Sequence, residues 1–410
     1  MPTRARPDAA PSPVTDPSGA PAADTWTLSR ETVHLNHGSF GAVPTVVSEY
    51  QAQLVAEMNS IPGDWFTALP RRVGAARARI AEFLGAPAGS TALVPNASAG
   101  VTVVLNSLAL PAGAEIVVTD HAYGAVHMAA ERAVRRVGGR VVVVPVELHA
   151  PGLDITRDVV HAIGDRTALV IVDQITSATA RSLPVEDIAT VCRRLGVPVL
   201  VDAAHAPGML ARPLDRNAAD YWVGNLHKWG CAPRGTAALV ASDRVADSLH
   251  PLIDSWGAPD PYPVRFDTQG TIDLSSYLAA PRSLDLVEQL FGWDRARAYM
   301  ADLADYAESV IAEAFERRTG MPASVDVGMP VPAMRLLALP GGLASTPAGA
   351  HELRDRVAAL GFQTAMTSWR GRGYLRLSAH VYNVAAEYDA FAEIAVPHIV
   401  ALARENQPTP

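Results

Sequence analysis

A lysine, a carboxylate and an imidazole follow two apolar segments in the middle of the chain. Lys228 comes shortly after the apolar residues 221–223, and Asp202 ends the apolar run 197–201. His205 follows Asp202 after two alanines. Both runs predict buried strands. A lysine held at the end of a strand can face a cleft, where desolvation lowers its pKa and makes it a nucleophile able to form a Schiff base.

These three side chains match the needs of pyridoxal phosphate. Its ring is the best electron sink while the pyridine nitrogen stays protonated, and a carboxylate beside that nitrogen favours this state. Asp202 is predicted to be that carboxylate, and His205 to hydrogen-bond the phenolic oxygen. Each residue alone has a plainer interpretation, Lys228 as a solvated lysine and Asp202 as a helix N-cap. Their combination favours the cofactor.

The composition excludes several classes of protein. The 410 residues are 49% hydrophobic, and the formal charge of 34 minus 42, or -8, argues against a nucleic acid or an anionic membrane as partner. The two cysteines, Cys192 and Cys231, provide neither a disulfide framework nor a cysteine metal site. No apolar run is long enough to span a bilayer. We therefore expect a cytoplasmic protein with a small-molecule substrate and no metal.

The order of the patterns predicts a tail and two domains. Residues 1–25 are rich in proline and alanine and are expected to be a disordered tail. Residues 26–275 alternate apolar runs with helical patterns, which predicts an α/β domain with a mainly parallel sheet between helices. Residues 276–410 predict a smaller α+β domain. In parallel sheets ligands bind beyond the carboxyl ends of the strands, where most of the polar motifs lie.

Three loops after predicted strands carry candidate ligand-binding residues. Ala97 and Ser98 open a helix, where backbone N–H groups and the helix dipole favour a phosphate, although Ser98 could also be only an N-cap. Tyr123 could stack on a flat ring or simply pack. Gln174 offers neutral hydrogen bonds.

Two stretches outside this region also have the right chemistry. Arg376, in a predicted strand of the second domain, could bind a carboxylate bidentately or form a surface ion pair. The loop 35–41 contains two glycines, which permit a close backbone approach. It could line a site or be a plain entry loop.

Taken together, five motifs resemble the aminotransferase class V family of fold type I pyridoxal phosphate enzymes, and most of all its isopenicillin N epimerase-like branch. The motifs are NHGSFG at 36–41, DHAYG at 120–124, DAAHA at 202–206, GNLHKW at 224–229 and RLSAHVYN at 376–383. The chain departs from the commoner pattern at Ala99 and at Ala180, where a hydroxyl residue and a glycine are usual.

The resemblance implies a role for each motif. Lys228 would carry the Schiff base, Asp202 would pair with the pyridine nitrogen, His205 would reach the phenolic oxygen and Tyr123 would stack on the ring. Further cofactor contacts are expected from Ala97, Ser98, Gln174, Asn225 and His227, and from Thr271 of the second subunit of a homodimer. Arg376, beside Asn36, would bind the substrate carboxylate. The catalytic candidates are Lys228, Tyr123 and His37.

The resemblance favours an epimerase-like reaction at the α-carbon of an amino acid, in secondary metabolism. Epimerisation needs a second proton donor, for which His37, Tyr382 or a water are candidates. A C–S β-lyase acting on a cysteine S-conjugate is the alternative, because elimination needs no second base. Decarboxylation, oxidative deamination and transamination stay open on the same scaffold. Cysteine desulfuration is not expected, since residues 364–378 contain no cysteine.

Two other classes were weighed against an enzyme of this kind. A nicotinamide oxidoreductase would show Gly-x-Gly-x-x-Gly after its first strand, and this chain does not. A binding protein of the same fold without activity is the other rival class.

Overall fold

The computed structural model describes residues 9–216 and 218–406. Its strands are β1 (Val33–His34), β2 (Thr91–Val94), β3 (Glu115–Thr119), β4 (Arg140–Val144), β5 (Thr167–Asp173), β6 (Val199–Asp202), β7 (Tyr221–Asn225), β8 (Ala237–Ala241), β9 (Met334–Ala338), β10 (Phe362–Gln363), β11 (Ala365–Trp369) and β12 (Arg372–Ser378).

The α-helices alternate with the strands from β2 to β6. They are α1 (Thr45–Ser60), α2 (Pro62–Leu84), α3 (Ala97–Ser107), α4 (Gly124–Arg135), α5 (Gly152–His161), α6 (Val185–Arg194), α7 (Ser275–Phe291), α8 (Trp293–Thr319), α9 (Pro347–Ala358), α10 (Ala385–Ala390) and α11 (Val396–Glu405). No helix among the described residues combines the length and the apolar character that crossing a bilayer requires.

One compact unit comprises Val43–Ser177 and Ser182–Leu286 and contains a seven-stranded sheet. The strand order is β2-β8-β7-β6-β5-β3-β4, with β8 antiparallel to both of its neighbours and the other pairs parallel. The predicted α/β class, with a mainly parallel sheet between helices, is confirmed. Because β8 alone reverses, the carboxyl ends of β2 to β7 all lie at one edge of the sheet.

The central strands of this sheet are apolar on both faces because helices cover both. All five residues of β3 and of β7 are buried, as are all four of β6. Such strands read as continuous hydrophobic runs rather than alternating ones. The polar residues at their last positions, such as Asp173, Asp202 and Asn225, are therefore buried too.

The other unit comprises the residues up to Ala42, Ala178–Arg181 and the chain from Val287 onward. It holds a three-stranded antiparallel sheet in the order β11-β12-β9 and a parallel pair of β1 with β10. We expected residues 26–42 in the large domain. They belong instead with the C-terminal residues, because Val33 pairs with Phe362 and the Leu35 N–H donates to the Gln363 carbonyl.

The segment expected to be a disordered tail carries structure in its described part. Residues 1–8 lie outside the described residues. Thr15 and Pro21 form a β-bridge, and Ala22–Thr25 is a short 3-10 helix. Val14 and Ala22 are buried, so apolar burial offsets the cost of ordering this part of the segment.

Two local features of the backbone have a physical cause in the sequence. α11 begins one residue before Pro397, after a π-helical stretch at Phe391–Ala395, because proline is tolerated only in the first turn of a helix. Ala180, where the resemblance led us to expect glycine, has φ of 50°. A left-handed backbone conformation has a higher free energy for alanine than for glycine, which explains why glycine is usual at this position.

Candidate active site

The Lys228 amine lies beside the His205 imidazole in the unit that contains the seven-stranded sheet, here called the first unit. Its Nζ is 3.3 Å from His205 Nε2. On the other side of the same imidazole, the Trp229 indole N–H donates to His205 Nδ1 at 3.3 Å. His205 and Trp229 are fully buried and Lys228 is half-buried. The predicted lysine and histidine therefore lie together, and Trp229, for which the sequence predicted no role, holds the histidine from its other side.

Trp229 determines which nitrogen of His205 carries hydrogen. An indole nitrogen can only donate, so Nδ1 of His205 must accept and be unprotonated. A neutral imidazole then carries its hydrogen on Nε2, directed at the Lys228 amine. This arrangement gives the site a hydrogen-bond donor at Nε2.

Two carboxylates end neighbouring strands at the same edge of the sheet. Asp202, the last residue of β6, accepts the Ala204 N–H at 3.0 Å, and it lies in register with Asp173, the last residue of β5. Burial raises the pKa of Asp202. Burial and then the nearby Asp202 raise the pKa of Asp173 well above its ordinary value. Asp202 was expected here, whereas Asp173 was missed.

The start of α3 forms a small polar surface next to the end of β7. Asn225 accepts the Ala97 N–H through Oδ1 at 2.8 Å, and the Asn96 side chain accepts the Ala99 N–H at 2.8 Å. The helix comes this close because Gly100 has no side chain, since a Cβ there would lie 2.6 Å from Val223 Cγ1. Ser98 is half-buried in the first turn of α3. The N-cap residue of this helix is Asn96, not Ser98.

His227 is a neutral imidazole at the same edge. Its Nδ1 is 3.0 Å from the Thr236 carbonyl, so Nδ1 carries the hydrogen and Nε2 does not. Burial, with a further contribution from Lys228, lowers the pKa of His227 to about 4. A phosphate dianion beside Nε2 would favour the protonated ring, so binding of such an anion would be accompanied by proton uptake.

The three other cofactor candidates of this unit occupy different surroundings. Gln174 is buried and accepts the Trp222 indole N–H at 3.0 Å. Tyr123 precedes α4 with its side chain 48% exposed, and its backbone N–H donates to Asp173. Thr271 is exposed in a loop. An exposed tyrosine and an exposed threonine are available to a ligand or a neighbouring chain, whereas the Gln174 amide oxygen already has a partner within the protein.

In the second unit, Arg376 lies on β12 with its guanidinium among the residues of the loop 35–41. Its Nη2 donates to Ser39 Oγ at 2.7 Å and to Asn36 Oδ1 at 3.3 Å. Gly38 between them leaves room, since a Cβ there would lie 3.0 Å from Ser378 Oγ and 3.4 Å from Nη2. Arg376 is 2% exposed, and these two acceptors are neutral oxygens. The alternative of a surface ion pair is wrong, because the guanidinium is buried.

His37, in the same loop, is part of an aromatic cluster in this unit. Its Nδ1 is 2.8 Å from the Tyr382 hydroxyl and also accepts the Ala42 N–H. Its ring stacks on His380 with centroids 4.0 Å apart, and Trp26 packs against His380 and Tyr382. Burial lowers the pKa of His380 to about 3, so its ring is neutral. Two acceptor contacts at Nδ1 place the hydrogen of His37 on Nε2.

Comparison with known proteins identifies the family. The model of the aminotransferase class-V family matches residues 41–391. The chain belongs to the aminotransferase class-V family. It is 31% identical to an isopenicillin N epimerase of Streptomyces clavuligerus, covering 89% of this chain and 94% of the relative. It is 29% identical to a putative L-cysteine desulfhydrase of Oryza sativa subsp. japonica, covering 90% of this chain and 83% of the relative.

Solved structures share the fold at low sequence identity. A cysteine desulfurase from Thermococcus onnurineus superposes with a TM-score of 0.77 at 17% identity, over 95% of this chain and 99% of that one. A lysine-to-alanine mutant of C-DES, with glycine covalently linked to its PLP cofactor, has a TM-score of 0.78 at 18% identity, over 94% and 99%. These likenesses confirm the fold type I architecture, and pyridoxal phosphate is the cofactor of the family.

The described residues fit this cofactor. Asp202 is a buried carboxylate whose raised pKa shows that its protein partners do not fully stabilise the charge, and a protonated pyridine nitrogen would supply the missing cation. The amine of Lys228 is within reach of the Nε2 donor of His205. The N-terminus of α3 and the neutral His227 offer donors and a proton acceptor to a phosphate.

The role of Trp229 in setting the His205 tautomer leads to a prediction. Trp229→Phe keeps most of the packing but leaves Nδ1 of His205 without its indole donor, so the free energy of unfolding should fall by about 1–3 kcal/mol. Nitrogen NMR of imidazole-labelled protein should show His205, assigned with His205→Gln, as a mixture of tautomers in the variant and a single Nε2–H form in the wild type.

A matched control separates this effect from the loss of indole volume. Trp65 is also buried in this unit, but its indole nitrogen has no hydrogen-bond partner, so Trp65→Phe removes no such bond. It should leave the His205 spectrum unchanged. An unchanged His205 spectrum in Trp229→Phe as well would contradict the tautomer assignment.

Proposed function

We propose that this protein acts at the α-carbon of an α-amino acid as an isopenicillin N epimerase-like enzyme, inverting the Cα configuration. The observation that carries the proposal is the loop 35–41, in which Asn36 and Ser39 hold the buried Arg376 guanidinium while His37, between them in sequence, is hydrogen-bonded to Tyr382. A carboxylate-binding group on β12 and a candidate proton donor in the loop are thus held within one unit.

The first unit supplies the residues that hold the cofactor. Lys228 is its covalent attachment point, Asp202 is the partner of its pyridine nitrogen and His205 donates to its phenolic oxygen through Nε2. Its ring is covered by Tyr123, and its phosphate is held by Ala97, Ser98, Asn225 and His227. When bound, the cofactor withdraws electrons from Cα and so makes the Cα proton acidic.

The substrate is oriented by Arg376 and Asn36. A carboxylate that displaces the neutral oxygens from the guanidinium gains a charge-assisted, bidentate hydrogen bond. Fixing the carboxylate fixes which bond at Cα is labile, because only one orientation of the substrate satisfies both contacts. A carboxylate held in this way is also protected from loss as carbon dioxide.

Two proton carriers are needed on opposite faces of Cα, and the chain offers them. Lys228 takes the Cα proton on one face as a general base. On the other face His37 donates from Nε2 while its Nδ1 takes the proton of the Tyr382 hydroxyl across their 2.8 Å contact. This transfer leaves the His37 ring neutral, which suits its stacking on a neutral His380. It leaves the Tyr382 oxygen anionic, so a proton from solvent must restore the hydroxyl before the next turnover.

A C–S β-lyase is the second candidate. It is favoured by the relatives named as cysteine desulfhydrases, and elimination needs only Lys228 and a leaving group at Cβ. We do not propose cysteine desulfuration, although a cysteine desulfurase shares the fold. Cys192 and Cys231 are both buried, and burial raises the pKa of Cys192 to about 11, so a reactive thiolate is not favoured there.

The two reactions can be separated in deuterium oxide with Tyr382→Phe as the variant. The holoenzyme is incubated with a panel of L-amino acids and S-substituted L-cysteines, and the products are analysed by chiral chromatography and mass spectrometry. We expect deuterium at Cα with inverted configuration, and Tyr382→Phe should lower inversion roughly a hundredfold, the usual worth of general acid catalysis. Exchange with retained configuration should survive, because Lys228 is unaffected.

The opposing results are equally clear. Release of pyruvate and a thiol, unaffected by Tyr382→Phe, would replace epimerisation by β-elimination. Turnover that keeps the Cα hydrogen and releases carbon dioxide would exclude both reactions.

The role of Arg376 predicts a loss that depends on the substrate carboxylate. Arg376→Lys keeps the charge but not the bidentate geometry, and kcat/KM for the amino acid should fall roughly 10- to 150-fold, equivalent to about 1.5–3 kcal/mol. The amino acid amide should be affected much less. Arg335→Lys is the matched control, since Arg335 is buried on the neighbouring β9 and paired with Asp305. Equal losses with acid and amide would refute carboxylate binding.

We further propose that the protein is a homodimer in which Thr271 reaches the phosphate of the neighbouring subunit. Four exposed apolar residues close in sequence to Thr271 support this assembly, and we call them the apolar patch. They are Leu252, Ile253, Trp256 and Val264, which are 47%, 49%, 95% and 40% exposed. A Cβ on Gly270 would lie 3.9 Å from Ile253, so the patch adjoins the segment that carries Thr271. Apolar patches of this kind mark interaction surfaces.

Changing the patch should dissociate the dimer. Trp256→Glu places a charge in the proposed interface, and light scattering should give the mass of one chain with weakened cofactor binding. Leu153→Glu is the control, because Leu153 is 81% exposed on α5, outside the patch. A wild-type protein that is monomeric and fully active at low concentration would disprove the assembly.

A further inference from the structure

Asp173 is a buried ionisable residue at the carboxyl edge that the proposed reaction does not use. It is 3% exposed and lies in register with Asp202, which is 4% exposed. Register partners on neighbouring parallel strands project from the same face of the sheet. The two carboxyl groups are therefore neighbours in a place from which water is largely excluded.

Two ionised carboxylates cannot occupy such a position at low cost. Like charges in a medium of low dielectric repel strongly, and the usual outcome is that one carboxyl group keeps its proton. The two residues differ in their partners. The Ala204 N–H donates to Asp202, and the positive charge of Lys228 favours its ionised form. Asp173 instead experiences Asp202 itself as a repulsive neighbour.

We propose that Asp173 is a neutral carboxylic acid whose O–H donates to the ionised carboxylate of Asp202 and holds it in position for the pyridine nitrogen. The proposal rests on the role given to Asp202 above. The Asp173 carboxyl group also accepts the Tyr123 N–H. A protonated carboxyl group has one donor and keeps an acceptor, so both contacts are satisfied at once.

This assignment makes Asp173 a positioning residue that connects three elements. It joins the end of β5, the carboxylate at the end of β6 and the backbone of the loop that carries Tyr123. The loop is anchored independently, because His121 contacts the Val146 carbonyl at 2.8 Å and the Val146 N–H donates to Asp120 at 2.9 Å. The hydrogen bond from the Tyr123 N–H to Asp173 then fixes the position of the Tyr123 backbone, from which the ring projects.

The surroundings of Asp173 contain few charges that could offset an ionised form. From β6 it faces Asp202, which is negative, and from the turn after β7 it faces Lys228, whose effect is the smallest of those that act on Asp173. The other titratable groups near this edge include His205 beside Lys228, the neutral His227, and Asp120, His121 and the half-exposed Tyr123 of the loop after β3. The nearest charge therefore opposes ionisation of Asp173.

The test uses the protein without cofactor or substrate, so it stands apart from the proposed reaction. Infrared difference spectra at neutral pH should show the C=O stretch of a protonated carboxyl group that is lost in Asp173→Asn and persists in Asp202→Asn. Asp220→Asn is the matched control, since Asp220 is equally buried in this unit but paired with Arg244, and it should leave the band unchanged. Any other pattern overturns the assignment.

A second measurement follows from linkage. Burial raises the folded-state pKa of Asp173, so the folded protein holds a proton that the unfolded chain has released, and this contribution to stability declines as pH rises above the unfolded pKa. The side chain introduced in Asp173→Asn does not titrate, so the stability of this variant lacks the decline with pH. The unfolding temperature of the variant minus that of the wild type should therefore increase between about pH 5 and about pH 8. A difference that does not change with pH contradicts the proposal.

Cofactor binding supplies a readout of the positioning role. Asp173→Asn can still donate to Asp202, so its affinity for pyridoxal phosphate, measured by tryptophan fluorescence quenching, should stay within about threefold of wild type. Asp173→Leu cannot donate and should bind about tenfold or more weakly. Equal loss in both variants, with the infrared pattern intact, would exclude positioning by this hydrogen bond.

Discussion

The register of β5, β6 and β7 decides where charge is buried in this protein. Asp173 aligns with Asp202, and Asp202 with Val223 of β7, two residues before Asn225. A shift of one residue would turn each of these side chains to the opposite face of the sheet. The polar edge exists because the apolar runs before it are buried on both faces and pin the strands in this alignment. The packing of helices on both faces of the sheet and the burial of the ionisable residues at its edge therefore depend on the same register of β5, β6 and β7.

Within that edge, hydrogen bonds rather than ion pairs set the protonation states. The Trp229 indole and the Thr236 carbonyl determine which nitrogens of His205 and His227 carry hydrogen. Desolvation keeps His227 neutral and disfavours ionisation of the two aspartates. A site of this kind is prepared for a ligand that brings its own charges, a cationic ring nitrogen and an anionic phosphate, because those charges complete interactions that the protein leaves incomplete.

The proposed chemistry at Cα draws on the loop 35–41, which is anchored by hydrogen bonds to β10 and β12. The Ser378 N–H donates to Leu35, and the Gly38 N–H donates to Ser378 Oγ. The same fold serves relatives named as epimerases and as desulfhydrases, so the architecture alone does not select the reaction. In the proposed epimerisation a second proton carrier is needed, and the hydrogen-bonded His37–Tyr382 pair is our candidate for it.

The sequence by itself determined the family, the α/β class and the cofactor, because apolar runs of strand length and the residues that follow them are local features. The runs 197–201 and 221–223 predicted buried strands, and the structure has β6 and β7 there. The sequence could not place residues 26–42 with the C-terminal unit, because that pairing joins Val33 to Phe362 across most of the chain. Nor could it reveal Asp173 or Trp229. An aspartate that ends an apolar run and a tryptophan after a lysine gain their meaning only from the side chains opposite them, and only the tertiary structure decides which strands become neighbours.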